Sequence, residues 1–105
     1  MLSMEAIKPL CNDDNIIFTN HVLVKMKERG IVYDDIETAI LSGEIIAQYE
    51  DDKLFPSCLI LGKTKKDKPF HTVIIQNGNT LWIITAYFPS LDIWEDDYKT
   101  RKAVK

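Results

Sequence analysis

Residues 69–89 read PFHTVIIQNGNTLWIITAYFP. Two β-branched and aromatic runs flank Asn77-Gly78, the strongest short-range hairpin signal a sequence carries. Both turn residues accept the positive φ that a type I′ turn requires, so Phe70–Gln76 and Thr80–Tyr87 are expected to be adjacent antiparallel strands. The turn sets Gln76 opposite Asn79, Val73 opposite Trp82 and His71 opposite Ile84. Alternation along a strand then puts His71, Val73, Ile75, Trp82, Ile84 and Ala86 on one face. Phe70, Thr72, Ile74, Leu81, Ile83, Thr85 and Tyr87 take the other. In this register His71 and Tyr87 lie on opposite faces unless a bulge intervenes. Neither face is polar enough for open water. Helices are expected on one face, and partial cover, a groove or a partner surface on the other.

Working back from the hairpin, Ser57–Gly62 is a strongly apolar strand, joined to it by the basic loop Lys63–Lys68. Glu44–Glu50 alternates as a strand, with Ile45, Ala47 and Tyr49 on one face, and a turn is expected at Glu50–Lys53. Thr19–Arg29 reads as a helix capped by Thr19 and closed by Gly30, with Val22, Leu23 and Met26 as its apolar stripe. Asp34–Leu41 is a second helix, ended by Gly43, whose Ile36, Ala39 and Ile40 face the core. Its leading acids suit the positive end of the helix dipole. Ile16–Phe18 is a short strand or an extended lead-in, and residues 4–11 form a short helix weakened by Pro9. After Pro89, residues 90–102 have the spacing of a short helix, with Leu91, Trp94 and Tyr98 on one face. The order is an α+β layout: two N-terminal helices packed on one face of a mainly antiparallel four-stranded sheet, then a short C-terminal helix or tail.

A chain of 105 residues fits a single domain, 1–105, with one real core. No apolar run reaches the length of a membrane span and no secretory leader is visible, so a cytoplasmic protein without a membrane partner is expected. Cys11 and Cys58 form no CxxC and are read as free thiols. The net charge of −3 argues against nucleic-acid binding by the whole surface. The charge is uneven, however: residues 63–105 carry five acids and eight bases, which leaves room for a local phosphate-facing patch.

No cofactor or metal is expected. The four glycines are isolated, so there is no phosphate-cradling loop, and the histidines and cysteines lack metal-ligand spacing. The adjacent acid pairs at 13–14, 34–35, 51–52 and 96–97 point apart on a helix or strand and suit solvated turns and helix starts better than catalysis. His71, among apolar residues near a strand start, is either a core-edge imidazole bonded to backbone or a general acid or base. His21, Lys25 and Arg29 form a slanting row on the first helix, a candidate anion site or simply a solvated face. Tyr87 could donate a proton, stack on a base or be half-buried. Trp82, Trp94 and Cys58 read as packing residues. The basic loop, with Lys99 and Arg101 in the tail, could follow a phosphate backbone.

Several blocks recur in order over about residues 16–102: His21…Lys25-Met26-Lys27-Glu28-Arg29-Gly30-Ile31, Gly43-Glu44-Ile45-Ile46…Tyr49, residues 56–62, Pro69-Phe70-His71, residues 83–89 and residues 94–101. As a set they resemble a bacterial and archaeal family, domain-of-unknown-function family 4258. This chain has Lys25 where the family pattern has arginine, which keeps the charge but not the bidentate fork. It has Val32 where a serine caps the second helix. The family is similar to the RelE/ParE-like toxins, which include MqsR-like and BrnT-like ribonucleases. Its genes often neighbour small zinc-finger antitoxin-like proteins. The resemblance implies a two-helix, curved-sheet, RelE/ParE-like fold and a toxin of a toxin–antitoxin pair that cleaves RNA without a metal. His71 would then be acid or base, partnered by His21 or Tyr87. Lys25 and Arg29 would stabilise the phosphorane, and Lys99 and Arg101 would hold substrate backbone. Expected partners are RNA, a zinc-finger type antitoxin and a second copy of the chain. The alternative is a non-catalytic protein-binding domain of the same fold, which the acidic net charge favours.

Overall fold

The computed structural model describes residues 1–50 and 55–103. Most of the expected Glu50–Lys53 turn, the acid pair at 51–52 and Lys105 therefore lie outside the described residues. Five strands form one mixed sheet in the order β1-β5-β4-β3-β2. They are β1 (Ile16–Phe18), β2 (Glu44–Tyr49), β3 (Ser57–Lys63), β4 (Pro69–Asn77) and β5 (Thr80–Tyr87). The last four form the expected antiparallel meander. The expected count of four strands is corrected to five, because β1 pairs parallel to β5, with Ile17 opposite Trp82. Three residues are too few for alternation to distinguish a strand from a lead-in.

The hairpin turn differs from the expected one. Asn77 pairs with Thr80, so the loop is Gly78-Asn79. Gly78 has φ +60°, and among the described non-glycine residues only Asp67 and Tyr98 have positive φ. This is the φ pattern of a type II′ turn, which needs glycine only at its first central position. Asn77 is thereby released into the ladder. The register moves by two residues, to Ile75 opposite Trp82, and a two-residue slip leaves every face unchanged. A bulge then intervenes between the pairs Ile74–Ile83 and Val73–Thr85, leaving Ile84 as the extra residue. Past it the faces exchange. Ala86 pairs with Thr72 and is fully buried in the core, while His71 pairs with Tyr87. The expected separation of His71 and Tyr87 on opposite faces is thus corrected. A second bulge, at Ile46, divides Ile45 from Ala47 and Tyr49, which were expected to share a face. Ile45 packs on the core beside Ile60; Ala47 and Tyr49 turn to the other side with Leu59 and Ser57.

The helices are α1 (Met4–Ile7), continued by a 3-10 turn over Lys8–Leu10, then α2 (Asn20–Arg29) and α3 (Tyr33–Ser42). Thr19 caps α2 by accepting the Val22 N–H at 3.1 Å. Gly30 closes it at φ +67°, with the Ile31 N–H reaching the Met26 carbonyl at 2.8 Å. At the start of α3 Val32 offers no side-chain oxygen. Instead the Asp35 carboxylate accepts the Val32 N–H at 3.0 Å, half of a capping box. Val22, Met26, Ile36, Ala39 and Ile40 pack on Cys58, Ile60, Phe70, Ile74, Leu81 and Ile83, so the core lies between the helices and one sheet face. Residues 91–101 are turns closed by a bridge between Trp94 and Arg101. Of the two expected forms, a short helix or a tail, they take the second. Asp97 competes for the backbone, its carboxylate accepting the N–H groups of Lys99 and Thr100. Among the described residues no helix is long and apolar enough to cross a membrane.

Nothing lies within 4 Å of a Cβ built on Gly30. Gly30→Ala is therefore a purely conformational change and should cost about 1 kcal/mol. Urea unfolding checks this; an unchanged midpoint would contradict the left-handed cap.

Candidate functional site

The bulge at Ile84 and the turns after Pro89 together build a polar centre on the sheet face away from α2 and α3. His71 is fully buried there. Its imidazole meets the Tyr87 ring at 5.2 Å between centroids and the Trp94 ring at 4.6 Å, both edge-to-face. Nε2 lies 2.8 Å from the Tyr98 carbonyl oxygen, and Nδ1 lies 3.0 Å from the Tyr87 hydroxyl. A carbonyl can only accept, so Nε2 carries the proton, and Nδ1 accepts from the Tyr87 O–H. Burial holds the His71 pKa below its ordinary 6.5, opposed by the Tyr98 hydrogen bond. The neutral imidazole is therefore the stable form at pH 7.

Tyr87 is half-buried and is the member of the pair that reaches the surface. Its phenol pKa is raised by burial first, then by the nearby Tyr49, while Arg101 and Arg29 pull it down. Two cations thus flank a neutral phenol. Arg29, at the end of α2, donates from Nη1 to the Ala86 carbonyl at 2.8 Å, on the edge that β1 leaves uncovered. Arg101 stands over the Trp94 ring at 5.5 Å. Tyr98, whose carbonyl fixes the imidazole, has φ +59°. That left-handed backbone is uncommon outside glycine and asparagine. It is held by the Asp97 turn and by the Lys99–Glu44 ion pair at 2.6 Å.

Of the candidate residues, the fold brings together His71, Tyr87, Arg29 and Arg101. Lys99 is engaged by Glu44 and contributes to fastening the loop. Lys25 pairs with Glu28 at 3.4 Å. His21 is exposed at the opposite end of α2 and makes no hydrogen bond, ion pair or ring contact among the described residues. Eight residue steps along the helix, about 12 Å of rise, separate it from Arg29. Sequence reasoning missed the Tyr98 carbonyl and Tyr49. The sign of the former was Asp97 followed by Thr100, an Asx-turn pattern that the helical spacing of Trp94 and Tyr98 masked. Both cysteines are buried, which pushes the Cys11 thiol up to about 11 and the Cys58 thiol to about 12. Neither is a thiolate near neutral pH. No group of three or more His, Cys, Asp or Glu side chains among the described residues could hold a metal.

The depressed His71 pKa has a thermodynamic consequence. The unfolded chain binds a proton at an ordinary 6.5, where the folded chain resists it. This contribution is complete above about pH 6.5 and is lost as pH falls from there through the lower folded value. Unfolding free energy should therefore decline below about pH 6.5, and His71→Gln should flatten that part of the profile. An identical slope in the variant would contradict the assignment.

A family model described as "Domain of unknown function (DUF4258)" matches residues 18–88. That span runs from the strand before α2 to the residue after Tyr87, and so contains His71, Tyr87 and Arg29. No curated protein and no solved structure was found to match the chain.

Proposed function

This chain belongs to the DUF4258 family, and we propose that it is a metal-independent endoribonuclease, the toxin of a toxin–antitoxin pair with a RelE/ParE-like fold. The observation that carries this reading is the relay from the half-buried Tyr87 hydroxyl to His71 Nδ1, completed by Nε2–H on the Tyr98 carbonyl. Tyr87 is the catalytic residue, because it is the one that can touch substrate; the buried His71 acts through it. An RNA 2′-hydroxyl gives its proton to the Tyr87 oxygen as the Tyr87 proton passes to Nδ1. The 2′-oxygen attacks the adjacent phosphorus, the P–O5′ bond breaks, and the departing 5′-oxygen takes a proton from water. The products are a 2′,3′-cyclic phosphate and a 5′-hydroxyl. Return of the Nδ1 proton through Tyr87 to solvent closes the cycle. Tyr98 supports the transient imidazolium, while Arg29 and Arg101 offset the charge that develops on phosphorus.

The test is incubation of the purified chain with long single-stranded RNA in EDTA, followed by end analysis. Discrete cuts with cyclic phosphate ends, absent at 2′-O-methyl positions, are expected. Intact RNA would overturn the reading.

One observation favours a second reading, a protein-binding domain without turnover. The same sheet face carries an apolar cleft of about 250 Å³ lined by Phe55, Ile75, Trp82 and Ile84. An antitoxin segment or a second copy of the chain would bury it. Its expected result is intact RNA together with a stable complex of larger mass in size-exclusion chromatography.

A further inference from the structure

A second cationic feature lies on the helix side of the sheet, where the end of α2, the start of α3 and the β3–β4 loop meet. It is a cleft of about 500 Å³ whose lining includes Arg29, Lys65, Lys66, Lys68 and Phe88. The acids beside it are already engaged: Asp34 pairs with Lys65 at 2.7 Å, and Asp35 accepts the Val32 N–H. Lys66 and Lys68 have no acidic partner among the described residues. The loop that carries them is a closed turn. The Thr64 N–H bonds the Lys68 carbonyl at 3.0 Å, and the Asp67 N–H bonds the Thr64 carbonyl at 2.9 Å. Thr64 is buried, and Asp67 makes the reversal at φ +62°. The backbone that carries the lysines is therefore set before any ligand arrives, which lowers the ordering cost of binding to that of the side chains. Phe88 is exposed and is held edge-on by Phe70 at 5.2 Å between centroids.

Cations along a cleft with a fixed, exposed aromatic ring suit a phosphodiester backbone whose bases are free to stack. We propose that this cleft is a binding site for single-stranded nucleic acid, with phosphates on Lys66, Lys68 and Arg29 and a base against Phe88. A duplex keeps its bases stacked on one another and leaves Phe88 without a ligand. Arg29 belongs both to this cleft and to the surroundings of Tyr87, and Phe88 follows Tyr87 in the chain. A strand leaving the relay therefore passes around the end of β5 into the cleft. The choice of RNA as the natural strand rests on the ribonuclease reading; the binding site itself does not.

The experiment is fluorescence anisotropy of the full chain with a labelled 2′-O-methyl oligouridine, which has no 2′-hydroxyl to react, over a salt series. Lys66→Glu with Lys68→Glu should weaken binding at least about tenfold. It should also reduce the slope of log K against log salt by about 1.4, from two phosphate contacts at about 0.7 each. The charge-matched pair Lys8→Glu with Lys27→Glu should stay within about twofold of wild type, which separates a local site from net charge. Phe88→Ser should weaken binding about tenfold or more and erase the preference for the single strand over its duplex. Absence of binding by the wild type, equal losses in both double variants, or equal affinity for duplex would each overturn the proposal. Intact RNA with binding preserved would instead count against the ribonuclease reading alone.

Discussion

Gly62→Ala is expected to destabilise the fold by about 3 kcal/mol or more, at the upper end of what overpacking costs. A Cβ on Gly62 would sit 1.9 Å from the Ala39 carbonyl oxygen and under 3 Å from the Ala39 carbonyl carbon and Cα. These atoms belong to the helix backbone, so no rotamer change can relieve the clash. Helix α3 would have to lift from β3, and with it Ile36 and Ile40, both fully buried. Gly43 makes a similar approach, 2.5 Å from the same oxygen. Against the roughly 5–15 kcal/mol that hold a domain together, such a loss should appear as a large fall in the urea midpoint or as insoluble expression. A variant with wild-type stability would mean that α3 does not seat on β3 as described.

His71→Ala should cost a similar amount, about 3 kcal/mol, whatever the protein does to RNA. The substitution opens a cavity between two aromatic rings and deprives the Tyr87 hydroxyl and the Tyr98 carbonyl of their partner. His71→Phe separates the two effects. It restores ring volume but leaves both polar groups unsatisfied, and should cost about 2 kcal/mol. Paired denaturation curves would test this. A loss below about 1 kcal/mol in the alanine variant would contradict a structural role for the imidazole.

Much of the fold is legible along the chain. The Thr19 cap and Gly30 bound α2, alternation marks the meander, and β5 occupies the expected residues 80–87. What alternation cannot foresee is a bulge, since Ile83 and Ile84 are chemically alike and either could be the extra residue. That one residue decides whether His71 and Tyr87 meet. The turn is ambiguous for a related reason: Asn77-Gly78 satisfies type I′, while Gly78-Asn79 satisfies type II′ with a single glycine. After Pro89, helical spacing competed with the local bonding of Asp97, and the local bonding prevailed. The candidate site was thus half visible: its histidine, tyrosine and arginines stand out as residue types. The carbonyl that fixes the imidazole belongs to the backbone of a turn and has no residue signature of its own.

The most direct test of the central claim compares single-turnover cleavage of single-stranded RNA in EDTA by the wild type and by Tyr87→Phe. The variant keeps the ring against His71 but leaves the buried Nδ1 without its donor, so its stability should fall by about 1–3 kcal/mol. The relay predicts cleavage by the wild type and a rate lower by about 10²–10³-fold in the variant. Cleavage by the variant at the wild-type rate, or no cleavage by either protein when both are folded, would contradict it.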